Sequence, residues 1–150
     1  MPGFTGKYYY TADAKGRIII PAPFREIISS NYNAKLYLAN DAFDKCLHIY
    51  PQVEWNALED KVRKLPSMDE AVKYFKRKVI ASAQEIDLDK QGRILVPAAQ
   101  REDAGLDSEI VIVGQINIID LWDRKEWDLA TDPALIDRKA FEEKLTGFGI

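Results

Sequence analysis

Short apolar runs separated by turn residues recur along the chain, and one group of them occurs twice. The stretch DAKGRIIIPAPFR (13–25) returns as DKQGRILVPAAQR (89–101). In each copy an Asp-to-Gly turn leads into a short β-branched run that ends at a proline, a pattern typical of a turn, a strand and the start of a helix. The pattern also predicts two local hairpins, in which KYYYTAD and AQEIDLD pair with the strands RIIIP and RILVP.

Each copy continues with further elements of the same kind. PAPFREII and PAAQREDAGL are predicted helices, the second closed by Gly105, and KLYLA with CLHIY and SEIVIVG with NIIDLW are predicted strand pairs. A helix follows in both copies, because HIYPQVEW (48–55) resembles DLWDRKEW (120–127). The offset between the copies falls there from 76 to 72 residues, which predicts a longer loop in the first copy, within 38–45.

The duplication indicates how the chain folds. A four-strand unit of about 45 residues is too small to bury both faces of its sheet, whereas two packed copies can do so. The sequence therefore predicts one compact domain over 1–150, mainly β with peripheral helices (an α+β fold), whose copies close each other's edges into a barrel-like core with approximate two-fold symmetry. We place the first repeat at 7–65, a connecting helix beginning near Ser67 at 66–82, the second repeat at 83–130 and a C-terminal helical tail at 131–150.

Composition limits the class of protein. With 150 residues, of which 47% are hydrophobic, the chain can bury a core without disulfides or metals, and its single cysteine excludes an internal disulfide framework. No run approaches the roughly 18 apolar residues of a membrane-spanning helix, and MPGFTGKYYY lacks the apolar run of a secretion signal. We therefore expect a cytoplasmic protein with no membrane partner.

Charge is unevenly distributed along the chain. The net charge is −3, but residues 1–80 hold 13 basic and 9 acidic side chains, whereas residues 81–150 hold 8 and 15. Such asymmetry indicates either an anionic partner at the basic end or two differently solvated surfaces. Phosphate binding normally depends on clustered Lys and Arg, so a nucleic-acid partner would need a local basic patch.

The repeated turn is the strongest candidate for such a patch. Lys15 and Arg17 flank Gly16, which allows close backbone approach, and an arginine can make planar bidentate contacts to guanine or phosphate. Two hairpins related by symmetry could follow successive segments of a DNA groove. The alternative is ordinary hairpin chemistry, in which Asp13 only pairs with Arg17 across the turn.

The tandem motifs DAKGR and DKQGR, each followed by an apolar strand and a proline, together with VGQINIIDLWDRKEW, resemble the MraZ family, a two-repeat branch of the AbrB-like proteins. The resemblance covers nearly residues 1–130. It implies a pseudo-two-fold, double-split, swapped-hairpin β-barrel. It also implies a bacterial, nucleoid-associated transcriptional regulator that acts at the promoter of the division and cell-wall gene cluster. Such proteins form homo-oligomeric rings that engage repeated boxes of double-stranded DNA.

The resemblance also assigns roles to the turn residues. The implied DNA contacts are Lys15, Gly16 and Arg17 of the first copy and Lys90 and Arg93 of the second. The second copy departs from the first because Gln91 stands where Lys15 stands, so the two turns need not contribute equally. Together with the charge bias, this departure favours the first copy as the main DNA reader.

Asp13, Asp89 and Gly92 are assigned to organising the turns, because carboxylates repel phosphate and make poor direct contacts. A second departure between the copies pairs Phe24 with Gln100, which we interpret as a difference in packing partners.

Other candidate chemistry is less specific. Cys46 and His48 share one face of a strand and suggest a nucleophile with its base or a two-ligand metal site, but one of each is too few, so packing residues are favoured. The KRK cluster (76–78) is either a DNA contact or, more consistently with its helix, a solvated face or a partner for acidic residues of a neighbour.

The sequence therefore predicts no catalytic residues, no cofactor and no metal site. It favours a DNA-binding regulator, with a protein-interaction or scaffold module as the alternative. An enzyme is the least supported class, because no motif gives the Asp and Glu residues acid/base roles and no phosphate-cradling glycine loop is present. The role of the acidic tail stays open.

Overall fold

The computed structural model describes residues 2–33 and 35–150, and in these residues it has eight strands and six α-helices. The strands are β1 (Lys7–Thr11), β2 (Arg17–Ile19), β3 (Leu36–Asn40), β4 (Cys46–Pro51), β5 (Gln84–Ile86), β6 (Arg93–Leu95), β7 (Glu109–Gln115) and β8 (Ile118–Asp123). The helices are α1 (Ala22–Asn31), α2 (Gln52–Arg63), α3 (Glu70–Lys78), α4 (Ala98–Asp103), α5 (Arg124–Ala130) and α6 (Arg138–Gly147), with short 3₁₀ helices at Ile80–Ser82 and Pro133–Leu135.

The strands form two separate sheets, and both contain strands from each copy of the repeat. Six strands form one antiparallel sheet in the order β1-β7-β8-β4-β3-β5, while β2 and β6 pair only with each other as an antiparallel ribbon. In the ribbon Ile18 lies opposite Ile94, and in the large sheet Tyr9 lies opposite Val111. The predicted pairs β3–β4 and β7–β8 are confirmed.

The predicted local hairpins are wrong. KYYYTAD does not pair with RIIIP, because β1 pairs with β7 and β2 pairs with β6, both in the other copy. Likewise β5 pairs with β3 of the first copy. The Asp-to-Gly turn redirects the chain away from the large sheet, and a three-residue strand gains its backbone partners from the equivalent strand of the other copy.

The α+β class is confirmed, whereas the closed barrel is wrong. Among the described residues, β1 and β5 are the outer strands of the six-stranded sheet and do not pair with each other. The sheet needs no closure to bury its apolar face, because the β2–β6 ribbon and the helices α1 and α4 cover that face instead.

Side chains alternate between the two faces of the large sheet, as the period of a strand requires. Leu47 and Ile49 of β4 join the main core, which also contains Ile18 and Ile94 of the ribbon. Cys46, which directly precedes Leu47 and so points to the other face, packs with Val111 and Trp122 there. The ribbon and the α2, α3 and α5 layer therefore lie on opposite sides of the sheet.

Helix starts follow the sequence signals closely. Pro21 and Pro97 directly precede α1 and α4, and Gly105 closes α4 with a positive φ of 64°. The helix predicted from near Ser67 begins at Glu70, because the side chain of Asp69 accepts hydrogen bonds from the backbone N–H groups of its first turn. No helix in the two described ranges is long and apolar enough to cross a bilayer.

Phe24 and Gln100 occupy equivalent positions in the two copies but make different buried contacts. The ring of Phe24 packs edge-on against Phe4 and Tyr8, at centroid distances of 5.4 Å. Gln100 is also buried, but its side-chain amide donates to the carbonyl oxygens of Leu38 and Ser82, each at 2.9 Å. One copy is therefore closed by an aromatic cluster and the other by a buried polar bridge.

We expect Gln100→Met to destabilise the protein by about 1–3 kcal/mol, because a similar side-chain volume is kept while two buried carbonyl groups lose their shared donor. Gln84→Met, at an exposed position nearby in the chain, is the matched control and should change stability by less than about 0.5 kcal/mol. Urea denaturation measures both. Equal stability of the two variants would show that the Gln100 bridge contributes nothing.

Candidate nucleic-acid interface

The β2–β6 ribbon presents one side to the core and the other to solvent. Ile18 and Ile94 point into the core and are 1% exposed each. The opposite side carries four side chains, which we call the ribbon face: Arg17, Ile19, Arg93 and Leu95. Within it Arg17 lies opposite Leu95 and Arg93 lies opposite Ile19, so a cation and an apolar side chain alternate across the ribbon.

The first turn is held by one carboxylate. Oδ1 of Asp13 accepts from the backbone N–H groups of Lys15 and Arg17, at 3.0 Å and 2.9 Å. Oδ2 accepts from Nε of Arg17 at 2.6 Å, so the pairing of Asp13 with Arg17 across the turn is present. The N–H of Arg17, with smaller contributions from its side chain and from Lys15, lowers the pKa of Asp13.

The second turn repeats this network with one addition. Asp89 accepts from the backbone N–H groups of Gln91 and Arg93, both at 2.9 Å, and from Nε of Arg93 at 2.9 Å. The side-chain oxygen of Gln91 also accepts from a terminal nitrogen of Arg93, at 2.5 Å. The Arg93 guanidinium therefore has less free hydrogen-bonding capacity than that of Arg17, and its side chain is less exposed, at 26% against 35%.

Each turn glycine lies beneath an arginine of the other copy. Gly16 and Gly92 have positive φ angles of 83° and 76°. A Cβ on Gly16 would lie 2.6 Å from Nε of Arg101, and one on Gly92 would meet the guanidinium of Arg25. Arg25 and Arg101 occupy the same position in the two copies of the repeat, but the sequence alone indicates no role for either. Their recurrence at one position of both copies was the available signal, although only the exchanged pairing shows that they reach the opposite turns.

The glycine carbonyls fix the position of the turns. The carbonyl of Gly16 accepts from the N–H of Val96 at 3.0 Å, and that of Gly92 accepts from Ile20 at 2.9 Å. Gly16 and Gly92 therefore stand at opposite ends of the ribbon, about 13 Å apart along the strand direction if each residue advances about 3.3 Å. This span is close to the width of the DNA major groove, about 12 Å, into which a two-stranded ribbon fits.

The other candidates lie away from the ribbon face. Cys46 and His48 share the opposite face of the large sheet, as predicted for one face of a strand. The KRK cluster occupies the last turn of α3, where Lys76, Arg77 and Lys78 are favourable to the helix dipole. Phe75 of α3 packs with Trp55 on that same opposite side, so the structure does not bring the KRK cluster and the turns together.

The fold and the candidate site define a class of protein: two tandem repeats with exchanged strands that present a pair of Asp-to-Gly, arginine-bearing turns. The sequence profile of one family, described as "MraZ protein, putative antitoxin-like", matches twice, at residues 4–78 and 79–146. The chain belongs to the MraZ family.

Three relatives are each called "Transcriptional regulator MraZ". The relative in Desulfitobacterium hafniense is 39% identical, and those in Acetivibrio thermocellus and Clostridium acetobutylicum are each 37% identical. In all three cases the alignment covers 98% of this chain and 99% of the relative.

We expect Gly16→Ala to destabilise the protein by about 1–3 kcal/mol, because alanine resists a positive φ and its methyl group would collide with Arg101. Gly147→Ala is the matched control, since no side chain or packed segment of the described residues lies within 4 Å of a Cβ there. Thermal or urea denaturation compares the two. A loss no larger than that of Gly147→Ala would mean that the turn tolerates a side chain and that Arg101 moves freely.

Proposed function

We propose that this protein is a sequence-specific transcriptional regulator that binds double-stranded DNA, acting in the cytoplasm at the nucleoid and without catalysis. The name shared by the relatives, "Transcriptional regulator MraZ", supports transcriptional regulation. The observation that carries DNA binding is the ribbon face, in which Arg17 and Arg93 flank the exposed Ile19 and Leu95 on a two-stranded ribbon, an element that the DNA major groove can admit. The promoter of the division and cell-wall gene cluster is the target that the family resemblance implies.

The proposed contacts are Lys15, Gly16 and Arg17 in the first turn and Lys90 and Arg93 in the second. Nε of each arginine is held by the turn carboxylate, so the two terminal nitrogens of Arg17 are oriented outward from the turn by a fixed hydrogen bond. Such an arginine loses little side-chain freedom on binding phosphate or a guanine edge. Asp13, Asp89 and Gly92 thus act by organising the turns.

In this proposal the first turn contributes more to DNA binding than the second. Lys15 adds a second cation beside Arg17, whereas the equivalent Gln91 adds none and occupies a terminal nitrogen of Arg93. Arg25 and Arg101 lie against the turn glycines and add positive charge there, and the Nε atom of each is buried with no hydrogen-bond partner among the described residues. Both support the turns from the opposite copy and increase the local positive potential toward which phosphate is drawn.

The wider organisation belongs to the same proposal. We divide the chain into a first repeat at 7–65, a connecting helix at 66–82, a second repeat at 83–130 and a C-terminal tail at 131–150. The exchange of strands between copies supports the pseudo-two-fold, double-split swapped-hairpin arrangement that the family resemblance implies, here open rather than closed into a barrel.

The proposed assembly is a homo-oligomeric ring, so that several ribbons engage repeated promoter boxes together. The apolar surface of α6 supports it. Phe141 and Leu145 of α6 and Phe148, which directly follows it, recur at helical spacing and are 50%, 47% and 77% exposed. They form an apolar stripe, and α6 has no buried side chain. The proposed occupant of this stripe is a second copy of the chain, because a lasting exposed apolar stripe is unfavourable in water.

The alternative function is a protein-interaction or scaffold module that uses the same surfaces without reading DNA. The local pairing of Asp13 with Arg17 is compatible with it, since that pair also stabilises a turn that touches nothing. A scaffold would show no salt-dependent specific DNA binding.

Arg17→Ala should weaken promoter binding by about 1–3 kcal/mol and make its salt dependence shallower, with the oligomer intact, because one phosphate or base contact per subunit is lost. Arg63→Ala is the matched control, since Arg63 forms a similar local pair with Asp60 on α2, outside the ribbon face. Mobility shift over a salt series, with size analysis, measures both. Absence of specific binding in the unaltered protein, or equal losses in both variants, would favour the scaffold.

Leu145→Glu should greatly weaken binding to a promoter with several boxes while barely changing binding to a single box, because separated subunits lose their effective concentration. Thr146→Glu adds the same charge on the other side of α6 and should leave size and binding unchanged. Size analysis and mobility shift on one-box and multi-box DNA are the measurements. Equal loss on both DNAs would contradict a role for assembly.

A further inference from the structure

The only histidine and the only cysteine of the sequence lie two residues apart on β4, on the face of the large sheet opposite the ribbon. Two carboxylates, one from each copy of the repeat, contact His48 there. Asp41 directly follows β3, and Asp120 lies on β8 of the second copy, opposite His48 in the strand register. We call Asp41, Cys46, His48 and Asp120 the β4 cluster.

Hydrogen bonds hold both ring nitrogens of His48. Nδ1 lies 2.6 Å from Oδ1 of Asp120, and Nε2 lies 2.7 Å from Oδ1 of Asp41. The other oxygen of Asp41 accepts from the backbone N–H groups of Phe43 and Asp44, at 2.8 Å and 2.7 Å. Asp41 and His48 are therefore oriented by independent partners, and each directs its remaining ligand atom at the other.

The thiol of Cys46 completes this arrangement. One ligand atom each of Asp41, Cys46 and His48 lies within 4.8 Å of the others. Cys46 is 2% exposed and has no disulfide partner, so a buried thiol faces a carboxylate and an imidazole. Around a tetrahedral Zn²⁺ with bonds of about 2.0–2.3 Å, ligand atoms stand about 3.5 Å apart. Nε2 of His48 and Oδ1 of Asp41, now 2.7 Å apart, would separate slightly to admit the ion, and small shifts would place all three ligand atoms around it.

We propose that the β4 cluster binds a divalent transition metal of the Zn²⁺ class, with Asp41, Cys46 and His48 as ligands and Asp120 as the positioning residue for His48. A mixed nitrogen, sulfur and oxygen set suits Zn²⁺ or Co²⁺ and does not suit Ca²⁺ or Mg²⁺, which take oxygen ligands. A carboxylate on the second nitrogen of a ligand histidine is the usual support of such sites. The fourth position is open to water, because the side chain of Asp41 is 21% exposed.

Metal binding to the β4 cluster must displace protons from its ligands. Burial disfavours the His48 imidazolium, but the hydrogen bonds to Asp120 and Asp41 outweigh burial and raise the pKa of His48 to about 9. Burial also raises the pKa of the Cys46 thiol well above its usual range. Because a metal ligand must be deprotonated, the metal displaces the protons held at Nε2 of His48 and at the Cys46 thiol, so binding releases protons.

The test uses the full-length chain without a histidine tag and Co²⁺ as the probe, with Zn²⁺ as competitor. We expect one Co²⁺ per chain, thiolate-to-metal absorption, and a shift of the His48 ring signals, which are the only imidazole signals in the NMR spectrum. Cys46→Ser should abolish the absorption. Asp120→Asn should weaken binding about 10–100-fold while keeping the absorption at saturation.

Asp44→Asn is the control variant, because it removes one charge from the same loop without removing a proposed ligand. It should bind Co²⁺ like the unaltered protein. Circular dichroism establishes that each variant is folded, and Asp41→Asn replaces Cys46→Ser as the ligand test if the latter unfolds.

Unmoved His48 signals and no thiolate absorption in the folded, unaltered protein at excess Co²⁺ would overturn the proposal. So would equal Co²⁺ affinity in the unaltered protein and in folded Cys46→Ser, because the ion would then bind surface carboxylates. The outcome is independent of DNA binding, since the β4 cluster and the ribbon face lie on opposite sides of the sheet.

Discussion

Backbone pairing between β2 and β6 is the interaction on which the rest of the structure depends. Neither three-residue strand has another partner in the described chain, and pairing them buries Ile18 and Ile94 over the large sheet. The same pairing places the carbonyl of each turn glycine on the opposite copy. The two turns therefore have a fixed separation that neither copy could set alone. The duplicated motif is needed to hold them at that separation.

Fixing the turns has an electrostatic consequence. Because the Asp13 carboxylate holds both the backbone and Nε of Arg17, the guanidinium is oriented before any ligand arrives. A local ion pair that is partly exposed contributes little stability by itself, so its larger effect is on geometry. The structural and the DNA-binding interpretations of the turn therefore do not exclude each other, because the Asp13–Arg17 pair that organises the turn engages only Nε of the guanidinium.

Local patterns in the sequence predicted the elements much better than their partners. The turn, the strand and the proline start of each helix follow from a few neighbouring residues, as at Pro21 and Pro97. Which strand pairs with which depends on long-range packing, and the local-hairpin prediction failed there. The same limit hid the contact of Arg101 with Gly16 and the approach of Asp120 to His48, since 72 residues separate His48 from Asp120.

Low net charge and DNA binding are compatible if the proposed assembly forms. One subunit offers four cationic side chains at its turns, and a slope of about −0.9 per neutralised phosphate gives a dependence of at most about −3.6 on log salt, which is modest for a DNA-binding protein. Because the whole chain carries −3, the residues other than these four cations carry a net charge of −7, which repels the duplex at long range. In the proposed assembly several ribbons would bind one DNA molecule. Linking weak sites multiplies their affinities, whereas enlarging one patch would also strengthen non-specific binding.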